Sequence, residues 1–198
     1  MVRSLRATAG VLLGGLVLLG GCSLGRSPQT EFYMLASPAE MRVPDERVAV
    51  SGPRVAIGPV IIPAYIDRPQ LFLRNGNSVH VQLADFRQWS EPMSDGITRV
   101  LCDALSASLA PRHGQAFALR APLQAQWKLS VDIARFDGAP GGEVMLDAGW
   151  TLQNADGNEV RSGRFVRRTP AGDSTITLVQ AHSDLLAAFG STLGKMIP

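Results

Sequence analysis

Cysteine, histidine and tyrosine are scarce in this chain: two, three and two residues among 198. With Cys22 set aside for the reasons given below, Cys102 stands alone, and one thiol forms no internal disulfide. One cysteine and three scattered histidines (His80, His113, His182) also fall short of the four clustered ligands of structural zinc. No Gly-x-Ser-x-Gly elbow is present, which argues against an α/β-hydrolase. The glycine-rich stretch Gly138–Gly142 is not followed by Gly-Lys-Ser/Thr, so it reads as a loop between strands and not as a phosphate cradle. Asn154–Glu159 starts like a calcium loop but lacks the acid that closes one, so a hairpin turn is expected. Internal repeats, low-complexity tracts and long apolar runs are missing as well. The apolar stretch Ala7–Leu19 has thirteen residues, whereas a spanning helix needs about 20.

What the amino terminus does contain is specific. Arg3 and Arg6 precede the short apolar run, and small residues close it, as in a secretory signal peptide. Leu19-Gly20-Gly21-Cys22 resembles the bacterial lipobox, whose cysteine thiol receives diacylglycerol before cleavage. The resemblance implies a signal peptide over 1–21. It also implies a covalent diacylglycerol and an N-acyl lipid on Cys22, with no other cofactor. Ser23, not Asp, follows the cysteine, which in lipoproteins of this kind implies the outer membrane. Residues 22–30 read as a lipidated tether and residues 31–198 as a single domain. Removing residues 1–21 removes Arg3 and Arg6 and leaves 17 basic against 17 acidic residues, formally neutral. That gives no support to a nucleic-acid partner, which would need a basic face.

Within the domain, Glu31–Leu35 reads as a first strand and 36–53, with Pro38, Pro44 and Pro53, as a loop. Val55 and Ile57 alternate along a second strand that breaks at Gly58-Pro59. Tyr65–Pro69 reads as a stiff turn. Strands over 70–74 and 78–83 flank Asn75-Gly76, a type I′ hairpin signal. Ser90–Ala110 carries helical spacing in Met93, Ile97, Val100, Leu101, Ala104, Leu105 and Leu109, with Ser90 as a possible cap and Pro111 and Gly114 as stops. Three segments, 126–136, 143–153 and 159–168, form an antiparallel meander. Thr175–Met196 is a second amphipathic helix, with a stripe of Leu178, Val179, Leu185, Leu186, Phe189 and Leu193. The fold class is therefore α+β: two layers, with two amphipathic helices on one face of a largely antiparallel sheet.

Candidate chemistry is thin. His80, His113 and His182 have no motif partner, and Cys102 lies beside an apolar helix face, where a small buried thiol is expected. Arg161, Arg164, Arg167 and Arg168 run along one strand, either guarding a sheet edge with charge or meeting lipid headgroups. No metal site and no catalytic set emerges, so an interaction role is expected and not an enzyme.

Three stretches taken together resemble a known family. They are Val55–Val60 leading into Pro63-Ala64-Tyr65-Ile66-Asp67-Arg68-Pro69-Gln70, Phe86–Met93 leading into Ile97–Leu101, and Val131–Phe136 followed by the strand bearing Trp150. The pattern is similar to the PqiC/YmbA family of auxiliary lipoproteins of ABC-type transporters. The resemblance implies an outer-membrane lipoprotein on the periplasmic side, accompanying an MCE-domain protein of a trans-periplasmic tube in lipid transport and envelope integrity. A homo-oligomeric ring would suit such a tube. Tyr65, Asp67, Arg68 and Trp89 become candidate interface residues. Asp67 and Arg68 either present fixed charges to a partner or brace their own turn. Trp89 either joins the interface or packs in the core. Gly190 and Gly194 weaken the last helix as read from propensity, leaving its tail without a role. Two rival readings remain: a monomeric module for lipid binding or outer-membrane assembly, with an apolar cavity between helices and sheet, and a periplasmic hydrolase.

Overall fold

The computed structural model describes residues 28–37 and 50–198. The signal peptide, Cys22, most of the tether and most of the 36–53 loop lie outside the described residues. Eight strands and two helices follow in chain order: β1 (Glu31–Tyr33), β2 (Arg54–Ile61), β3 (Gln70–Arg74), β4 (Val81–Trp89), α1 (Met93–Leu109), β5 (Gln115–Ala118), β6 (Trp127–Asp137), β7 (Glu143–Asn154), β8 (Glu159–Pro170) and α2 (Thr175–Gly194). They form a five-stranded sheet in the order β5-β2-β6-β7-β8 and a three-stranded sheet in the order β1-β4-β3. The α+β class and the antiparallel β6-β7-β8 meander agree with the sequence reading. The parallel pairings of β1 with β4, and of β2 with both β5 and β6, do not follow from alternation, which is the same in either direction.

Both helices pack on one face of the larger sheet, α1 over β2 and β5 and α2 over β7 and β8. The apolar stripes expected for both helices are buried in full. Between helices and sheet, Ile97, Leu101, Leu105, Leu146, Leu186 and Phe189 are among the side chains that fill the interior. Where the helices cross, a Cβ on Gly190 would meet the Ala104 Cβ at 2.6 Å, and one on Gly194 would meet the Ser108 Oγ at 2.1 Å. The two glycines that weaken α2 as an isolated helix are thus what lets it approach α1. The tail beyond is tied down: Arg112 donates to the Gly194 carbonyl at 3.1 Å and the Ile197 carbonyl at 3.1 Å, and Arg161 donates to Met196 O at 2.8 Å. A cation at the carboxyl end of a helix also opposes the negative end of its dipole.

Three local expectations are corrected. The first helix starts at Met93 without a side-chain cap, because the N-cap position falls on Pro92, whose side chain has no acceptor, while Ser90 lies two residues earlier with its N–H donated to the Tyr33 carbonyl at 2.8 Å. The β3–β4 hairpin forms, but Arg74 pairs with Val81, and only Gly76 has positive φ (55°). A type I′ turn needs two such residues, so the connection is a longer loop. The break expected at Gly58-Pro59 is instead an irregularity within β2, which continues to Ile61: Gly58 has φ 138°, the bond to Pro59 is cis, and the β2–β6 register shifts there.

Candidate functional site

Pro63 and Pro69 bracket the turn after β2, and Ile66 N–H donates to the Pro63 carbonyl at 3.1 Å. Ile66 points into the core, which leaves Asp67, Arg68 and Pro69 exposed. Trp89 N–H donates to the Pro69 carbonyl at 2.7 Å, fixing this turn against the end of β4 and the start of α1. Between them lies a groove of about 340 Å³ lined by Asp67, Arg68, Pro69, Trp89, Ser90, Glu91, Pro92 and Met93. Three of the four candidate residues, distant in sequence, therefore meet at one place. Among the described residues, neither the Asp67 nor the Arg68 side chain has a hydrogen-bond or ion-pair partner, so they do not brace the turn. Trp89 packs against the core, edge-on to His182 at 6.0 Å between centroids, and also walls the groove. Glu91 is held by Arg99 at 2.7 Å, and Arg99 also donates to the Leu35 carbonyl at 2.6 Å, which docks the chain after β1 onto α1.

Tyr65 lies outside the groove. Its hydroxyl donates to Asp137 at 2.9 Å. Burial first, then the nearby Asp137 charge, pushes the phenol up to about 12. Asp137 is fully buried yet well supplied: Arg135 Nε donates to it at 2.9 Å, and the Arg74 guanidinium lies 3.6 Å away, stacked over Tyr65 and Phe72 at 5.2 and 5.4 Å. A buried carboxylate persists only with such partners. This network clamps the small sheet and the Tyr65 turn onto the end of β6. Sequence reading missed Arg74 and Asp137, because a register shift after Ile133 gives the helix-side position to Phe136 and leaves Asp137 on the other face, where the Tyr65 turn and Arg74 cover it.

The remaining candidates have structural roles. His182 is buried, its Nδ1 2.8 Å from the Leu178 carbonyl and its ring edge-on to Phe136 at 4.7 Å. Burial lowers its pKa to about 4. Burial raises the Cys102 thiol to about 12, with Asp103 adding to the effect, so it is a poor nucleophile. Arg164 grips Asp147 through two bonds of 2.6 Å, and this contact lowers the Asp147 pKa. With Arg168 near Glu143 and Arg161 on Met196 O, the arginines line an edge strand, β8, and are largely committed to their own protein. Among the described residues, no group of three or more His, Cys, Asp or Glu is placed to hold a metal, and no helix is long and apolar enough to cross a membrane.

A buried core, a stiff charged turn and an open groove do not by themselves say what kind of protein this is. The profile of the ABC-type transport auxiliary lipoprotein component family matches residues 33–193. The chain belongs to that family. The PqiC/YmbA resemblance thus holds over most of the chain, and the protein is an auxiliary component of a transport system, of the lipoprotein kind. Its fold is similar to a crystal structure of an uncharacterized protein, with TM-score 0.70, 17% identity, and 86% of this chain and 100% of that chain covered. A DUF330 protein from Xanthomonas campestris gives TM-score 0.61 and 19% identity, covering 83% of this chain and 93% of its own. No curated protein matches significantly in sequence.

Proposed function

We propose that this auxiliary lipoprotein is a non-enzymatic docking subunit of an MCE-type intermembrane lipid transport system. It is anchored through lipid on Cys22 to the periplasmic face of the outer membrane, and it engages its partner through the Asp67–Arg68–Trp89 groove. The observation that carries this reading is the unpartnered pair Asp67–Arg68, held in a proline-bracketed turn beside the apolar wall of Pro69, Trp89, Pro92 and Met93. The turn holds the backbone that carries the two charges, so only their side chains remain to be ordered on binding, and Arg offers a two-pronged bond to a carboxylate. Among the described residues the interior between helices and sheet is occupied by the side chains of one apolar core, which speaks against a lipid cavity there. A ring of copies fits a tubular partner by symmetry.

The test is binding of the purified protein to the periplasmic portion of the MCE-domain protein from the same cell. Arg68→Ala and Asp67→Ala should each weaken binding about tenfold or more while leaving thermal unfolding unchanged, since neither side chain has an internal bond to lose. Unchanged affinity in both variants would remove the groove from the account.

A further inference from the structure

The small sheet has two unlike faces. Along β1, Tyr33 and Leu35 turn inward, whereas Phe32 and Met34 are 65% and 52% exposed. Residues paired across strands share a face. Phe32 pairs with Gln88, Gln88 with Gln70, Phe72 with Leu83, and Arg74 with Val81. Between the second and third of these pairs β3 advances two residues while β4 goes back five, so a bulge in β4 restores the phase. Phe32, Phe86, Leu83 and Val81 therefore lie on one outer face, all substantially exposed, with neutral Gln70 and Gln88 among them. Glu31, opposite Arg87 in the strand register, lies on the other face, and its carboxylate accepts from the Tyr33 hydroxyl. Phe72 and Arg74 share this face by register but are covered by the Tyr65 turn, where Arg74 is matched by Asp137, and the exposed Asp85 falls in the β4 bulge. An apolar face of this kind marks a contact surface.

The geometry points to the lipid bilayer itself as the occupant: we infer that Phe32, Met34 and Phe86 rest in the headgroup region of the membrane that holds the anchor. This rests on lipidation of Cys22. From Cys22 to Phe32 the chain extends at most about 36 Å, so the apolar face belongs to the first folded element after the anchor and is held at high local concentration over the membrane. Phe and Met suit the acyl–headgroup boundary.

The test uses the mature lipidated protein in vesicles of phosphatidylethanolamine and phosphatidylglycerol, its acylation first established by intact mass. In a Cys102→Ala background, an environment-sensitive fluorophore is attached through Phe32→Cys, Phe86→Cys or, on the β7–β8 turn, Asn158→Cys. Doxyl-labelled phospholipid should quench positions 32 and 86 several-fold more than position 158. Equal quenching at all three in acylated protein overturns the inference and leaves the anchor standing. Labels at 32 and 86 that resist both doxyl lipid and aqueous iodide, with protection rising with protein concentration, overturn it in favour of a contact between copies. Protein without acyl groups overturns both the anchor and the inference.

Discussion

His182 shows how a single side chain can set a pH response without taking part in function. Its ring is enclosed by Phe136, Trp89 and the core, and its folded pKa of about 4 lies below the usual 6.5. As pH falls through that window the unfolded chain takes up a proton that the folded chain refuses, so stability falls from about 6.5 down to about 4 and then levels off. Urea unfolding should find the wild type about 2 kcal/mol less stable at pH 5 than at pH 7 from this group alone. H182L should lack that part of the slope. An identical slope in both proteins would contradict the burial argument. Asp147 acts in a lower window: its depressed pKa, caused by Arg164, adds stability above the ordinary carboxylate range that is lost only as pH falls through its folded pKa. Asp67 and Arg68 differ from both in having no internal bond, and for that reason their removal should register in binding and not in unfolding.

At the scale of elements, α1 and α2 are joined by a crossing built from small residues. Gly190 faces Ala104, and Gly194 faces Ser108, four residues further along each helix. A methyl at 190 would have to push back the Ala104 Cβ, which cannot rotate away. Gly190→Ala should therefore destabilise by about 1–3 kcal/mol in denaturant unfolding despite its better helix propensity. Ala104→Gly added to it should recover part of the loss. Stabilisation by Gly190→Ala alone would mean that the helices are not in contact there. Sequence pattern had reached both helices and their buried stripes, because a stripe at helical spacing shows which face is wet. It could not reach the crossing, since a glycine in a helix reads as a defect until its neighbour is known. Strand direction was hidden for the same kind of reason. The turn residues Asp67 and Arg68 and the later Trp89 were legible from motif alone. That they share a groove, and that Tyr65 instead serves the Asp137 network, depends on how β3 and β4 fold back on the end of β6.

At the scale of the whole molecule, a helical layer closes one face of the large sheet and the small sheet carries the groove and an apolar outer face. The chain belongs to a family of auxiliary transport lipoproteins, and its proposed role requires that it be fixed at a membrane. Cys22 is where the account is most directly exposed. Intact-mass measurement of the mature protein recovered from the envelope fraction should give a chain starting at Cys22, heavier by a diacylglycerol and an amide-linked acyl group. A chain with an unmodified Cys22 thiol, recovered from the soluble fraction, would contradict the account.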